Sequence, residues 1–257
     1  MIRRLRPARP RVPVAFRVAV LALLAAFVCA AGARAGIPTG AAIARLKTTE
    51  RLIALSFDDG PGDSTTVDTL LAILGPRHAH ATFFVVGSAL VTRPEIGRRL
   101  LAAGDELGNH TWWHPHLDSI PDDSLRVELA RNDSLIRALG QKGRILVRPP
   151  YGEMGDRVSA TLRRLHRTVA LFDVDPHYDL PESTSTDTTV EYTLRLLGPG
   201  SIVVFHPWFE DRSKAYALLP PILDRLIAMG YRLVTVSELF RIKHAVPEMV
   251  EGHTQPR

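Results

Sequence analysis

Two histidines four residues apart, His110 and His114, and two adjacent carboxylates, Asp58 and Asp59, are the residues of this chain best suited to chemistry. Histidines at that spacing share one face of a helical turn and can chelate a single ion. An Asp donated from a neighbouring strand end would complete a set of two imidazoles and one carboxylate. Three protein ligands with a position left for water describe a catalytic metal site rather than a structural one. Side chains one residue apart point differently, so one of Asp58 and Asp59 can bind an ion while the other faces a water beside it. Read alone, Asp58-Asp59-Gly60-Pro61 is also an ordinary turn sequence, since Asp, Gly and Pro are all common there. Further polar groups worth placing are Arg148, Asp173, Asp175, Asp179 and His206.

A frame that gathers them can be read from the apolar pattern. Short apolar runs at 52–57, 81–86, 145–147, 168–172, 201–205 and 232–235 read as strands, with a shorter segment at 106–109. Helical spacing falls between them, at 65–74, 94–103, 122–139, 156–165, 190–197, 216–229 and 237–242, with Ser64 as the N-cap of the first. Continuous rather than alternating strands imply burial on both faces. Repeated β/α units imply a parallel sheet, so the fold expected is α/β, a distorted (β/α) barrel of about seven parallel strands in a single catalytic domain. On that map Asp58, Asp59, His110, His114, Arg148, Asp173, Asp175, Asp179 and His206 all follow the C-terminal ends of strands. In parallel β/α folds those ends converge on one face, where active sites are built. Ser183 to Thr189 reads as a polar loop.

The 257 residues carry a net charge of +5, which suggests a polyanion binder until the charges are placed. Seven arginines, Arg3, Arg4, Arg6, Arg9, Arg11, Arg17 and Arg34, lie in residues 1–35, which hold no Asp or Glu. Setting them aside leaves 25 of the 32 basic residues against 27 acidic ones, so nucleic acid is not an expected partner. The arginines precede an apolar run, Val18 to Ala33, and a small-residue stretch ending at Gly36. Residues 1–35 therefore read as a secretory signal peptide, or as an N-terminal membrane anchor if uncleaved, since the run is short for a span of about 20 residues. Either sends the rest across a membrane, to a periplasmic, envelope or secreted location. A linker is expected over 36–50, the catalytic domain over 51–243 and a flexible tail over 244–257. The single Cys29 lies in the leader, which excludes a disulfide framework and a Cys-based zinc site.

Five segments, taken in order, carry a resemblance. They are Ser56 to Pro61, His110 to His114, Arg148 to Gly152, Asp173 to Pro176 and Ile202 to His206. Together they resemble the five motifs of the polysaccharide deacetylase family, which shares the homology domain of the nodulation chitooligosaccharide deacetylase. The resemblance runs from about Arg51 to Phe240 and includes His80 to Gly87 and Gly104 to Asn109. It implies a metal-dependent hydrolase removing N-acetyl groups from an envelope or extracellular polysaccharide, peptidoglycan-like or chitin-like. Its one divalent ion would be zinc, with cobalt and nickel as alternatives. By the same resemblance Asp59, His110 and His114 are the ligands and Asp58 is the general base. Arg148 holds that base, Tyr151 supplies a backbone N–H for the oxyanion, and His206 is the acid that protonates the leaving amine. The fourth motif departs from the family pattern: the usual Asp-Trp pair is absent, and Asp179 precedes Leu180 in a loop one residue longer. Asp179 is the first candidate for the partner of His206 and Asp175 the second. The missing Trp leaves the acyl-pocket wall to Tyr178 or Trp208. Trp112, Trp113, Pro149 and Trp208 lie beside the motifs as candidates for sugar contact, with at least one Trp expected in the core.

Competing readings are an O-acetyl esterase on xylan-like glycan, an amidase on a small non-sugar amide, a non-catalytic glycan-binding module and a non-haem iron oxygenase. The last uses the same two-His, one-carboxylate set but leaves Asp58 and His206 without a task. A monomer acting on an acetylated polysaccharide or oligosaccharide is expected, touching a membrane only through an uncleaved leader.

Overall fold

The computed structural model describes residues 40, 42–176, 180–181, 183–208, 212–242 and 245–249. The leader, Tyr178, Asp179 and the last residues of the expected tail lie outside them. In chain order the main elements are β1 (Ala42–Lys47), β2 (Leu52–Gly60), α1 (Ser64–Leu74), β3 (Ala81–Val85), α2 (Pro94–Ala102) and β4 (Glu106–Asn109). They continue with α3 (Asp122–Leu139), α4 (Asp156–Arg164), β5 (Val169–Ala170), α5 (Thr186–Leu196), β6 (Ile202–Phe205), α6 (Arg212–Ala228), β7 (Arg232–Val234) and β8 (Val246–Met249).

The expected barrel is present. β2 pairs in parallel with β3 on one side and β6 on the other, and β7 pairs with the start of β2. β3 carries β4 in parallel. From there the ring closes through single parallel bridges, Asn109 to Val147, Val147 to Val169 and Val174 to Val203. That is the distortion: the 145–148 and 169–174 segments stand where full strands would be. β2 is buried along nearly its whole length, as its unbroken apolar run requires. Phe57 of β2 stacks on Phe83 of β3 with ring centroids 4.8 Å apart, and faces Phe205 of β6 at 6.1 Å.

Several boundaries differ from expectation. Residues 42–47, expected in a linker, form β1, which pairs in parallel with β5 and antiparallel with β8. Ile43 and Leu46 are fully buried there, so this strand belongs to the folded body. β8 lies within the expected tail. The Ser183 to Thr189 segment is not all loop: α5 begins at Thr186, and the Ser185 hydroxyl caps it by accepting from Thr188 N–H at 3.2 Å. The cap of α1 is Asp63, one residue before Ser64; its backbone is extended and its carboxylate accepts from Thr66 N–H at 2.7 Å. Among the described residues no helix is long and apolar enough to cross a membrane.

Candidate active site

Asp59 leaves the end of β2 in a left-handed conformation, φ 67°, which turns its carboxylate across to the loop after β4. There Oδ1 lies 3.1 Å from His110 Nε2 and 2.9 Å from His114 Nε2. The three ligand atoms all fall within 4.8 Å of one another. His110 Nδ1 sits 2.7 Å from the Arg148 carbonyl. A carbonyl only accepts, so Nδ1 carries the proton and the Nε2 lone pair is turned to Asp59. An acceptor nitrogen and a carboxylate oxygen at this distance need a cation or a proton between them. Burial works against a charged Asp59, but when the His110 and His114 rings also carry a proton at Nε2 they donate to it, outweigh burial and hold its pKa well below the usual carboxylate range. Burial also disfavours a charged His110, and the carboxylates of Asp58 and Asp59 outweigh that, moving its pKa upward. The donor set and its negative field fit a divalent ion.

The two histidines do not share a helical face as their spacing suggests. Residues 110–116 form no helix; Thr111 (φ 68°) and His114 (φ 58°) are left-handed, and the turn brings the imidazole centroids to 4.9 Å. Tyr151 is left-handed as well, φ 60°. Such conformations cost on the order of 1–3 kcal/mol each and persist only where the surroundings over-determine them. Four of them meet at this one place.

Asp58 is buried, and its carboxylate pairs with Arg148 while that of Asp59 meets the two histidines. Arg148, wholly buried, donates from Nη1 to Asp58 Oδ1 at 2.7 Å and to Ser56 Oγ at 2.9 Å. Its remaining donors reach Ala170 O at 2.8 Å and Leu171 O at 2.9 Å, and Phe84 packs under the guanidinium at 4.0 Å. One side chain thus ties β2 to the 169–171 segment and fixes the base candidate in a single orientation.

His206 follows β6, half-buried, with Nδ1 3.8 Å from Asp175 Oδ2. Asp175 is the second of the two candidates that the sequence offers for this contact; the first, Asp179, lies outside the described residues. Asp173 faces away from the site: Oδ1 accepts from Ile202 N–H at 2.7 Å and Oδ2 pairs with Arg45 of β1 at 3.3 Å.

The aromatic residues divide. Trp112 is 5% exposed, with Arg131 stacked on its ring at 3.7 Å, so it is not available to a sugar. Pro149 is buried too. Both corrections follow from core packing claiming the side chain first. Trp113 is 66% exposed beside His114. Trp208 donates from its indole N–H to Asp58 O and lies flat on the 58–62 turn. A Cβ on Gly60 or Gly62 would meet its ring at 2.8 or 2.5 Å, so the turn needs glycine at both positions. Tyr151 is half-exposed, edge-on to His114 at 4.6 Å and stacked on His116 at 3.9 Å.

A buried carboxylate–guanidinium pair beside one carboxylate and two imidazoles that could hold an ion is an arrangement suited to hydrolysis. The polysaccharide deacetylase family profile matches residues 45–170. A peptidoglycan-N-acetylglucosamine deacetylase of Bacillus cereus is 33% identical over 80% of this chain and 96% of its own length. The peptidoglycan-N-acetylmuramic acid deacetylase PdaC of Bacillus subtilis is 34% identical over 76% of this chain, which spans only 40% of that relative. The chain belongs to the polysaccharide deacetylase family. Among solved structures, the Bc1960 peptidoglycan N-acetylglucosamine deacetylase, in complex with 4-naphthalen-1-yl-N-oxidanyl-benzamide, superposes with a TM-score of 0.71 at 26% identity, covering 78% of this chain and 93% of that one. A CE4 family pseudoenzyme from Bacillus anthracis superposes at 0.68 and 26% identity, covering 78% and 69%. Because that fold also carries a pseudoenzyme, the side chains at the site carry the functional reading, not the fold alone.

Sequence reasoning missed Glu128, Asn132 and Asp133 of α3, which contact the 109–113 loop. A signal existed. Asn132 stands in line with Leu125, Leu129, Ile136 and Leu139, a polar residue on an otherwise apolar stripe.

Proposed function

We propose that this chain hydrolyses N-acetyl groups on an envelope glycan, peptidoglycan-like or chitin-like, releasing acetate. The observation that carries the reading is the pairing of an Asp59, His110 and His114 triangle with an adjacent buried Asp58 locked by Arg148. Asp59, His110 and His114 would hold one divalent ion, zinc first and cobalt or nickel as alternatives. When bound, such an ion polarises an acetyl carbonyl and makes water a stronger nucleophile. Bc1960 supports this, since its ligand is a hydroxamate, a group that chelates metal ions.

Asp58 accepts the proton of the attacking water as the carbon–oxygen bond forms. Arg148 keeps that carboxylate aimed and supplies the opposite charge. The Tyr151 backbone N–H faces the developing oxyanion, a contribution of several kcal/mol when such donors are preorganised. As the carbon–nitrogen bond breaks, His206 gives a proton to the amine, which is too basic to leave as an anion. The products are acetate and the free amino sugar. Asp175, being the described carboxylate facing His206, orients the ring. Asp175→Asn is expected to lower kcat by about tenfold or more while metal content is unchanged; wild-type kcat in that variant assigns the orienting role elsewhere.

Trp113 and Tyr151 present aromatic faces for the pyranose rings, and Trp208 lies against the base turn as the pocket wall. Residues 1–35 act as an export leader, which places the site with a cell-wall substrate. Acetate release from N-acetylglucosamine oligomers, peptidoglycan and acetylated xylan tests the substrate. Release from the first two supports the reading; release from xylan alone makes the chain an O-acetyl esterase.

A further inference from the structure

We propose that α3 carries a two-residue clamp, Glu128 and Asn132, that positions His114 for the metal ion; this rests on the metal reading above. No backbone partner serves the amides of the 111–114 turn. Thr111 N–H donates to Asn109 Oδ1 at 2.8 Å, and His114 N–H to Thr111 Oγ1 at 3.0 Å. Trp112 and Trp113 both donate to one atom, Glu128 Oε2, at 2.9 and 2.8 Å. One helical turn further, Asn132 Nδ2 donates to Thr111 O and to Val85 O, each at 2.8 Å. Asn132 is fully buried, so these bonds form away from water.

The clamp acts on the strained part of the site. Thr111 and His114 hold left-handed backbones, uncommon outside glycine and least favoured by the β-branched Thr111. Gly87 and Ser88 N–H hold the Thr111 and Trp112 carbonyls at 3.0 and 2.9 Å, Asn132 shares the first of these, and the two amides between Thr111 and His114 rest on Glu128 alone. His110 needs no such help, because its N–H donates to Val85 O at 3.1 Å and its ring is held by Arg148 O. Without the Glu128 acceptor the turn relaxes and His114 Nε2 leaves Asp59, while His110 and Asp59 remain. The ion loses one of three ligands. Glu128 is a positioning residue, because it touches neither the ion nor the substrate.

The test is Co²⁺ binding to the metal-free full chain, read by visible absorption and by competition with Zn²⁺, for wild type, His114→Ala, Glu128→Ala, Glu128→Asp and Glu128→Gln. Loss of a group supporting a metal ligand typically weakens affinity by about 10–100-fold, and that is expected for Glu128→Ala. Glu128→Asp, one methylene too short to reach both amides, should weaken binding in the same direction. Glu128→Gln keeps a neutral acceptor and should restore both affinity and spectrum. If Glu128→Ala does not fold, the Asp and Gln variants decide. Wild-type affinity in the folded Ala or Asp variant overturns the proposal, as does a Gln variant as weak as Ala. Failure of the wild type itself to take up Co²⁺ removes the metal reading, and the clamp with it. Wild-type uptake that His114→Ala does not diminish removes the ligand assignment.

Discussion

Asp58→Asn should leave a protein that still takes up its metal ion yet turns over about 100-fold or more slowly, within the range by which a positioned general base accelerates catalysis. Asn preserves the shape and can still accept from Arg148, so the local geometry survives. What disappears is the group that removes the proton of the attacking water. Asp59 stays free to sit between His110 and His114, since the two carboxylates face different partners. Metal content and kcat measured on one preparation check this. A variant that loses its ion would place the ligand role on Asp58 instead, and near-wild-type kcat would remove the base role.

Arg148→Met is the variant expected to damage the fold most. It leaves Asp58 buried without its counter-charge, and breaking a buried pair in this way costs about 3–5 kcal/mol. The guanidinium also bridges Ser56, Ala170 and Leu171, so the 169–171 segment loses its tie to β2. Denaturant unfolding should show the loss. Adding Asp58→Asn should recover part of it, because the orphaned charge is then gone; a double variant as unstable as the sum of the singles would mean that the pair is not coupled.

The barrel was legible because its strands are apolar without interruption and stop at polar residues. Asp58, Asp59, His110, Arg148 and His206 all mark such stops, which predicts one shared face for them. Less visible were features whose partners are remote in sequence. β1 is six residues long and finds its neighbours at 169–170 and 246–249, which no local pattern announces. The runs at 145–147 and 168–172 read as strands, but nothing in them shows that they close the ring through single bridges. The His110 to His114 turn mimics helical spacing, but two left-handed residues replace the helix, with Glu128 accepting from two of its amides and Asn132 donating to its first carbonyl. Trp112 sits beside the motifs, which suggests a sugar contact; its ring instead lies under Arg131 in the core.

In the proposed function, Asp59, His110 and His114 hold an ion on which acetate release depends. The most direct test is exhaustive chelation of the purified protein, followed by titration with Zn²⁺ while acetate release from N-acetylglucosamine oligomers or peptidoglycan is followed. The metal-free protein is expected to be inactive and to regain turnover at one equivalent of ion, and the His114→Ala variant to stay folded but regain none. Full turnover by the metal-free protein, or equal recovery by His114→Ala, would contradict this.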